Sequence, residues 1–136
     1  MDKMNFVDTN IFLEIILDDK KSEQCKSFLT KVKNNNIKAL TTDFIIYSCL
    51  LQIQHKIKSQ EKMKQFLSFI NELKGLKIIR PSLNEMYKAC IISKKYNLDF
   101  DDSLVVAAMI DNNCKYLVSL DGHFDKISII KRIEPN

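Results

Sequence analysis

Three aspartates stand where the pattern of the chain would gather acids in one place. Asp8 follows the apolar pair Phe6-Val7 and precedes Thr9-Asn10 and a helical run from Ile11 to Leu17. Asp121 ends another apolar run, Leu117-Val118-Ser119-Leu120, and is followed by Gly122. Asp102 lies in Asp99-Phe100-Asp101-Asp102-Ser103, at the head of a nearly all-apolar stretch that reaches Ile110. Each has an ordinary reading of its own. Asp8 is a good helix cap, Asp121 fits an Asp-Gly turn, and Asp102 behind a capping Asp99 suits the first turn of a helix. Capping does not need so many acids beside one hydrophobic helix, where their mutual repulsion costs stability unless solvent or a cation offsets it. Taken together they form an all-oxygen donor set for Mg²⁺ or Mn²⁺. Such an ion lowers the pKa of a bound water and stabilises charge on a phosphate and its leaving oxygen, so the chemistry that fits is metal-assisted phosphodiester hydrolysis.

Competing chemistries find no support. There is no serine–histidine or cysteine–histidine constellation and no glycine-rich phosphate loop. Cys25, Cys49, Cys90 and Cys114 are scattered and form no C-x-x-C pair, and neither His55 nor His123 completes a zinc spacing. Buried free thiols are the better account, which suits a reducing compartment.

The elements that must position the acids can be read from apolar spacing. Short runs at Asn5 to Val7, Ile37 to Leu40, Leu76 to Ile79, Tyr116 to Leu120 and Ile127 to Ile133 have the composition of strands buried on both faces. Helical patterns lie between them. One runs from Asp43 to about Lys58, with Thr41-Thr42 as candidate caps. A second carries the stripe Met63, Phe66, Leu67, Ile70, Leu73 and stops at Gly75, and a third carries Leu83, Met86, Tyr87, Cys90, Ile91 after Pro81. The Ser103 to Ile110 helix is apolar nearly all round and should be deeply buried. Alternation of this kind predicts α/β architecture with a mostly parallel sheet. Right-handed crossovers place helices on both faces, and chemistry collects beyond the carboxyl ends of the strands where strand order reverses.

Composition sets the outer bounds. With 136 residues and 46% hydrophobic content, the chain supports one core, not two comfortable domains. No apolar stretch is long enough to cross a membrane, and the start, Met1-Asp2-Lys3-Met4, does not read as a signal peptide. A cytoplasmic location is therefore expected. The formal net charge of +4 is nearly all lysine, which permits phosphate steering without identifying it.

Four segments, in order, resemble the PIN domain, the fold of the ribonuclease toxins of VapBC-type toxin–antitoxin pairs. They are Phe6-Val7-Asp8-Thr9-Asn10-Ile11, Leu40-Thr41-Thr42-Asp43-Phe44-Ile45, Phe100-Asp101-Asp102-Ser103-Leu104-Val105-Val106-Ala107-Ala108 and Leu117-Val118-Ser119-Leu120-Asp121-Gly122-His123-Phe124. The resemblance spans essentially the whole chain. It implies one three-layer α/β/α domain over residues 1–136, with a five-stranded parallel sheet in the order 3-2-1-4-5, and it places Asp8 and Asp121 side by side at the switch point. It also implies a Mg²⁺- or Mn²⁺-dependent endoribonuclease acting on RNA. Asp8, Asp102 and Asp121 would be catalytic metal ligands, supported by Asn10 and by the hydroxyl of Ser119. The implied partners are an RNA substrate, a small antitoxin-like protein and a second copy of the chain; Tyr47, Ile53 and Phe69 are candidate dimer contacts. Lys20, Lys21, Lys56 and Lys58 could meet phosphates as point charges.

One position departs from the family pattern. Where the family usually carries a glutamate early in the long helix, this chain has Ser48. Serine can hold a water by hydrogen bonding but brings no charge. Catalysis with one metal, replacement by a neighbouring acid, and loss of nuclease activity all stay open. Asp43, one and a half turns away, points to another face; Asp101 and Asp99 are better placed. A non-catalytic module that binds RNA or a protein is thus the second reading. A phosphoacceptor receiver domain, the third, needs an acidic pair after the first strand and an aspartate after the third, where this chain has only Asp8 and Arg80-Pro81.

Overall fold

A computed structural model describes residues 3–136. Five strands, β1 (Met4–Val7), β2 (Lys38–Thr42), β3 (Leu76–Ile79), β4 (Tyr116–Val118) and β5 (Lys131–Ile133), form one parallel sheet in the order β3-β2-β1-β4-β5. The expected order and parallel pairing are those observed. A receiver-type doubly wound sheet runs 2-1-3-4-5, so this topology removes the third reading.

Six α-helices connect the strands: α1 (Thr9–Ile16), α2 (Ser22–Lys33), α3 (Asp43–Lys56), α4 (Gln60–Asn71), α5 (Leu83–Tyr96) and α6 (Phe100–Asp111). The crossovers β1→β2→β3 move one way across the sheet and β3→β4 moves back. Right-handedness therefore sends α1 to α4 to one face and α5 and α6 to the other. Contacts follow that division, with α1 against α2 and α3, α3 against α4, and α5 against α6. The central strands are buried through Phe6, Val7, Leu40, Leu117 and Val118, and Phe12 meets Phe66 edge-on at 6.1 Å between ring centres. Helix α6 buries Ser103 to Met109 without a break, as its all-round apolar sequence requires.

Several expectations need correction. Helix α2 has no counterpart among the helical patterns above, although Cys25, Phe28, Leu29 and Val32 repeat at helical spacing and are all buried. The fourth strand stops at Val118, where Ser119 turns its hydroxyl to Asp8 and Asp121, and the fifth is only Lys131–Ile133, because residues 128–130 form a turn ahead of it. On α5 the apolar stripe faces outward: Leu83 is 82% exposed, Tyr87 70% and Ile91 56%, while Ala89 and Ile92 face the core. Ile53 cannot serve as a dimer contact, since it lies on the core side of α3 and is fully buried; Phe69 is partly buried against the core, and Tyr47 is exposed. Gly75 does not stop a helix, as α4 ends at Asn71. Its backbone instead crosses the start of β2 so closely that a Cβ would lie 2.3 Å from the Ile37 carbonyl oxygen and 2.8 Å from that of Val32. Close approach, with hydrogen bonds from Gly75 N to Val32 O and from Ala39 N to Gly75 O, explains the glycine.

Candidate active site

The carboxyl edge of the sheet assembles the site from four separate stretches of chain. Asp8 leaves β1 in extended backbone and caps α1, its Oδ1 accepting from Thr9 N at 2.8 Å. Its backbone N–H donates to Val118 O, which locks the end of β1 to the end of β4. Beyond β4, Ser119 is fully buried and donates from Oγ to Asp8 Oδ2 at 2.7 Å. The same hydroxyl accepts from Asp121 N at 3.0 Å, so a single oxygen ties together the acids that follow the two central strands. Asn10, on the first turn of α1, clamps the arrangement. Its Nδ2 donates to Asp8 Oδ2 and Ser119 Oγ, each at 3.2 Å, and its Oδ1 accepts from Leu120 N at 3.0 Å. Asp102 arrives from the opposite layer on the first turn of α6. Asp99 holds the N-cap position there without a side-chain cap bond.

Asp8, Asp102, Asp121, Asn10 and Ser48 line one open cavity of about 270 Å³, with Leu13, Phe44, Ile45 and Val105 as apolar wall. The capping readings and the shared-site reading hold together. Asp8 caps α1, and Asp121 caps the 3-10 helix through His123 N at 2.9 Å, yet both also face the cavity.

The electrostatics are those of a site short of positive charge. Burial pushes the Asp8 carboxyl above its ordinary range, against hydrogen bonds from Ser119 and Thr9, and the negative charges of Asp121 and Asp101 push it further. Asp102 is pushed up to about 7, first by burial and then by repulsion from Asp101, Asp8, Asp121 and Asp99. No ion pair within 4.0 Å joins Asp8, Asp101 or Asp102 to a lysine or arginine among the described residues. The nearest thiol, Cys49, is held up at about 12 by burial and by Asp8, so it offers no nucleophile.

Residues 6–130 match the PIN domain. The chain belongs to the PIN domain family. No curated protein matches it. Three solved structures share its fold over nearly the full length of both chains. The VapBC2 complex of Rickettsia felis, bound to a DNA fragment from its promoter, is 17% identical with a TM-score of 0.71, covering 98% of this chain and 99% of that one. VapC20 of Mycobacterium tuberculosis, described as a toxin that cleaves the sarcin-ricin loop, is 14% identical with a TM-score of 0.76 and coverages of 96% and 99%. A toxin–antitoxin complex from Klebsiella pneumoniae is 12% identical with a TM-score of 0.72 and coverages of 97% and 98%.

Within this PIN domain, Ser48 does line the acid cavity, so its lack of charge is felt there. Asp101 lines the cavity as well, whereas Asp99 does not. Asp43 faces a neighbouring groove of about 410 Å³ with Tyr47, Arg80 and Phe100, as its angular offset from Ser48 on the helix requires. One residue of the site was not anticipated from the sequence. Among the described residues, the group of metal-binding side chains whose donor atoms lie mutually within 4.8 Å is Asp102, Asp121 and His123. Asp8 stands outside that group, its carboxylate engaged by three donors. The sequence signal was the spacing Asp-x-His at 121–123, which tests against zinc patterns alone pass over.

Proposed function

We propose that this PIN domain is a divalent-metal-dependent endoribonuclease that hydrolyses RNA phosphodiester bonds as the toxin of a toxin–antitoxin pair. The observation that carries the reading is the convergence of Asp8, Asp102 and Asp121 on one cavity that, among the described residues, no lysine or arginine lines. The donor set fits Mg²⁺ or Mn²⁺, because carboxylate oxygens of unsatisfied charge are what hard divalent ions bind. Asp102 and Asp121 would hold the ion, with Asp8 adding negative charge behind them. An ion held there would supply an activated water and would offset charge on the phosphate and the leaving 3′ oxygen.

The chain's own residues do the positioning. Ser119 and Asn10, bonded to each other, fix Asp8 and the Leu120–Asp121 backbone through four further hydrogen bonds, so the acids are held before substrate arrives. Leu13, Ile45 and Val105 limit water at the cavity wall, which strengthens electrostatic interactions inside it. With water attacking and the 3′ oxygen leaving, the products carry 5′-phosphate and 3′-hydroxyl ends. Lys20, Lys56 and Lys58 are exposed or partly exposed and free to meet phosphates, whereas Lys21 already pairs with Glu134 at 2.7 Å.

RNA incubated with the protein should be cut in Mg²⁺ or Mn²⁺ and spared in a chelator. Asp8→Asn that kept full metal-dependent cleavage would remove the mechanism. The second reading, a module that binds RNA or protein without cutting, is favoured by Ser48 at the cavity wall. Divalent-ion titration separates the two, because such a module has no need of the ion. The VapBC2 structure and the Klebsiella complex pair their toxins with antitoxins, and an antitoxin-like partner is proposed here by that likeness. A homodimer is proposed through exposed Tyr47, with Leu83, Tyr87 and Ile91 of α5 as further exposed apolar side chains. Light scattering of the purified chain checks it.

A further inference from the structure

We propose that His123 completes a mixed oxygen–nitrogen ligand set with Asp102 and Asp121, and that this set makes the site select Mn²⁺ over Mg²⁺. The inference rests on the metal-dependent reading above and adds to it a ligand and an ion preference.

The geometry comes first. One donor atom from each of Asp102, Asp121 and His123 lies within 4.8 Å of the other two. The ring nitrogen facing inward is Nδ1, 3.0 Å from Asp121 Oδ1. His123 is 77% exposed in its side chain, yet its backbone is pinned on both sides. Its N–H donates to Asp121 Oδ1 at 2.9 Å, and the next residue, Phe124, is buried to 1% exposure in the core. The ring therefore swings from a fixed root beside the acids, and no apolar packing explains its place.

Charge and donor count point the same way. Asp8 Oδ2 takes hydrogen bonds from both Ser119 and Asn10, its Oδ1 takes one from Thr9, and Asp8 lies outside the close donor group. Ser48 supplies no carboxylate. Two carboxylates from Asp102 and Asp121 balance a divalent charge, and a neutral imidazole adds a third ligand without adding charge. As a ligand, His123 would offer the Nδ1 lone pair and keep its ring proton on Nε2. Mg²⁺ is hard, keeps its waters and gains little from imidazole. Mn²⁺ is the most oxygen-loving of the first-row divalent ions but is softer than Mg²⁺ and takes imidazole more strongly, so the third ligand strengthens Mn²⁺ binding and leaves Mg²⁺ nearly unaffected.

The test is calorimetric titration of the purified chain with MnCl₂ and with MgCl₂, in the original protein, His123→Ala and Asp102→Asn, together with pulsed electron paramagnetic resonance of bound Mn²⁺. The expected result is a loss of about tenfold or more in Mn²⁺ affinity in His123→Ala, with Mg²⁺ affinity changed less than threefold. A ¹⁴N coupling to Mn²⁺ should be present in the original protein and absent in the variant. Equal Mn²⁺ affinity in both proteins, or no nitrogen coupling, overturns the ligand role of His123; if Asp102→Asn still abolishes binding of both ions, the metal-dependent reading stands without it. If neither ion binds the original protein, that underlying reading falls and the inference with it. Circular dichroism of His123→Ala guards against a folding effect, which its exposed ring gives no reason to expect.

Discussion

Two groups of charged residues sit near the carboxyl edge of the same sheet, and they are built on opposite terms. Around β5, Arg132 reaches Asp125 at 2.7 and 3.1 Å and Glu134 at 3.2 Å, while Lys21 holds Glu134 from the other side at 2.7 Å. The carboxyls of Asp125 and Glu134 are lowered, chiefly by these hydrogen bonds. A few residues away, beyond β1 and β4, Asp8 and Asp102 are raised first by burial and then by neighbouring aspartates, Asp121 and Asp101 acting on both. The same chain that pairs Asp125 and Glu134 at its surface leaves buried Asp8 and half-buried Asp102 without a lysine or arginine partner among the described residues. A fold tolerates such a defect where a cation from solution can remove it.

The contrast can be broken most strongly at Asp102. Asp102→Asn should lower metal-dependent RNA cleavage by at least about a hundredfold, measured as initial rates in Mn²⁺, while Glu134→Gln should leave the rate within about twofold. Comparable losses in both would mean that the two clusters do not differ in function. Gly75→Ala is the control for architecture. A Cβ pressed against the Ile37 and Val32 carbonyls should cost about 2–4 kcal/mol of stability by denaturant unfolding.

Acid should relieve the unpaired cluster and not the paired one. Asp102 is raised to about 7 in the folded chain from an ordinary value near 3.8, so between those values the folded state binds more protons than the unfolded state. Stability then falls as pH rises through that window, and the full penalty is present above it. For a half-buried group, discounted for solvent, the gain from pH 8 to pH 5 is about 1–2 kcal/mol. Thermal melts in chelator should show it, and saturating Mn²⁺ should remove it. A melting temperature that rises with pH in chelator would contradict the sign. The paired carboxyls of Asp125 and Glu134 lose stabilisation only at much lower pH, because their values are depressed.

The smallest effect expected is at Ser48. Ser48→Glu adds a charge at the cavity wall and should raise divalent-ion affinity about tenfold. An unchanged titration would mean that the serine is not what limits binding.

Much of this molecule was legible in the sequence because the signals are local. Asp8 and Asp121 follow buried runs, Asp102 opens an all-apolar helix, and the ordered motifs through Phe124 carry the family likeness, with it the strand order. Local spacing cannot say which way an amphipathic stripe faces. The α5 residues Leu83, Tyr87 and Ile91 have core-like spacing and lie in solvent, while Cys25, Phe28, Leu29 and Val32 form a buried face on a helix that lysines and polar residues obscured. Gly75 has its reason about forty residues upstream, in the carbonyls of Val32 on α2 and of Ile37 just before β2. The site divides the same way. Residue types gave the acids, but only the folded chain decided that Ser119 and Asn10 engage the Asp8 carboxylate while His123 turns its ring nitrogen toward Asp121, because those contacts join segments more than a hundred residues apart in one case and a tight 3-10 turn in the other.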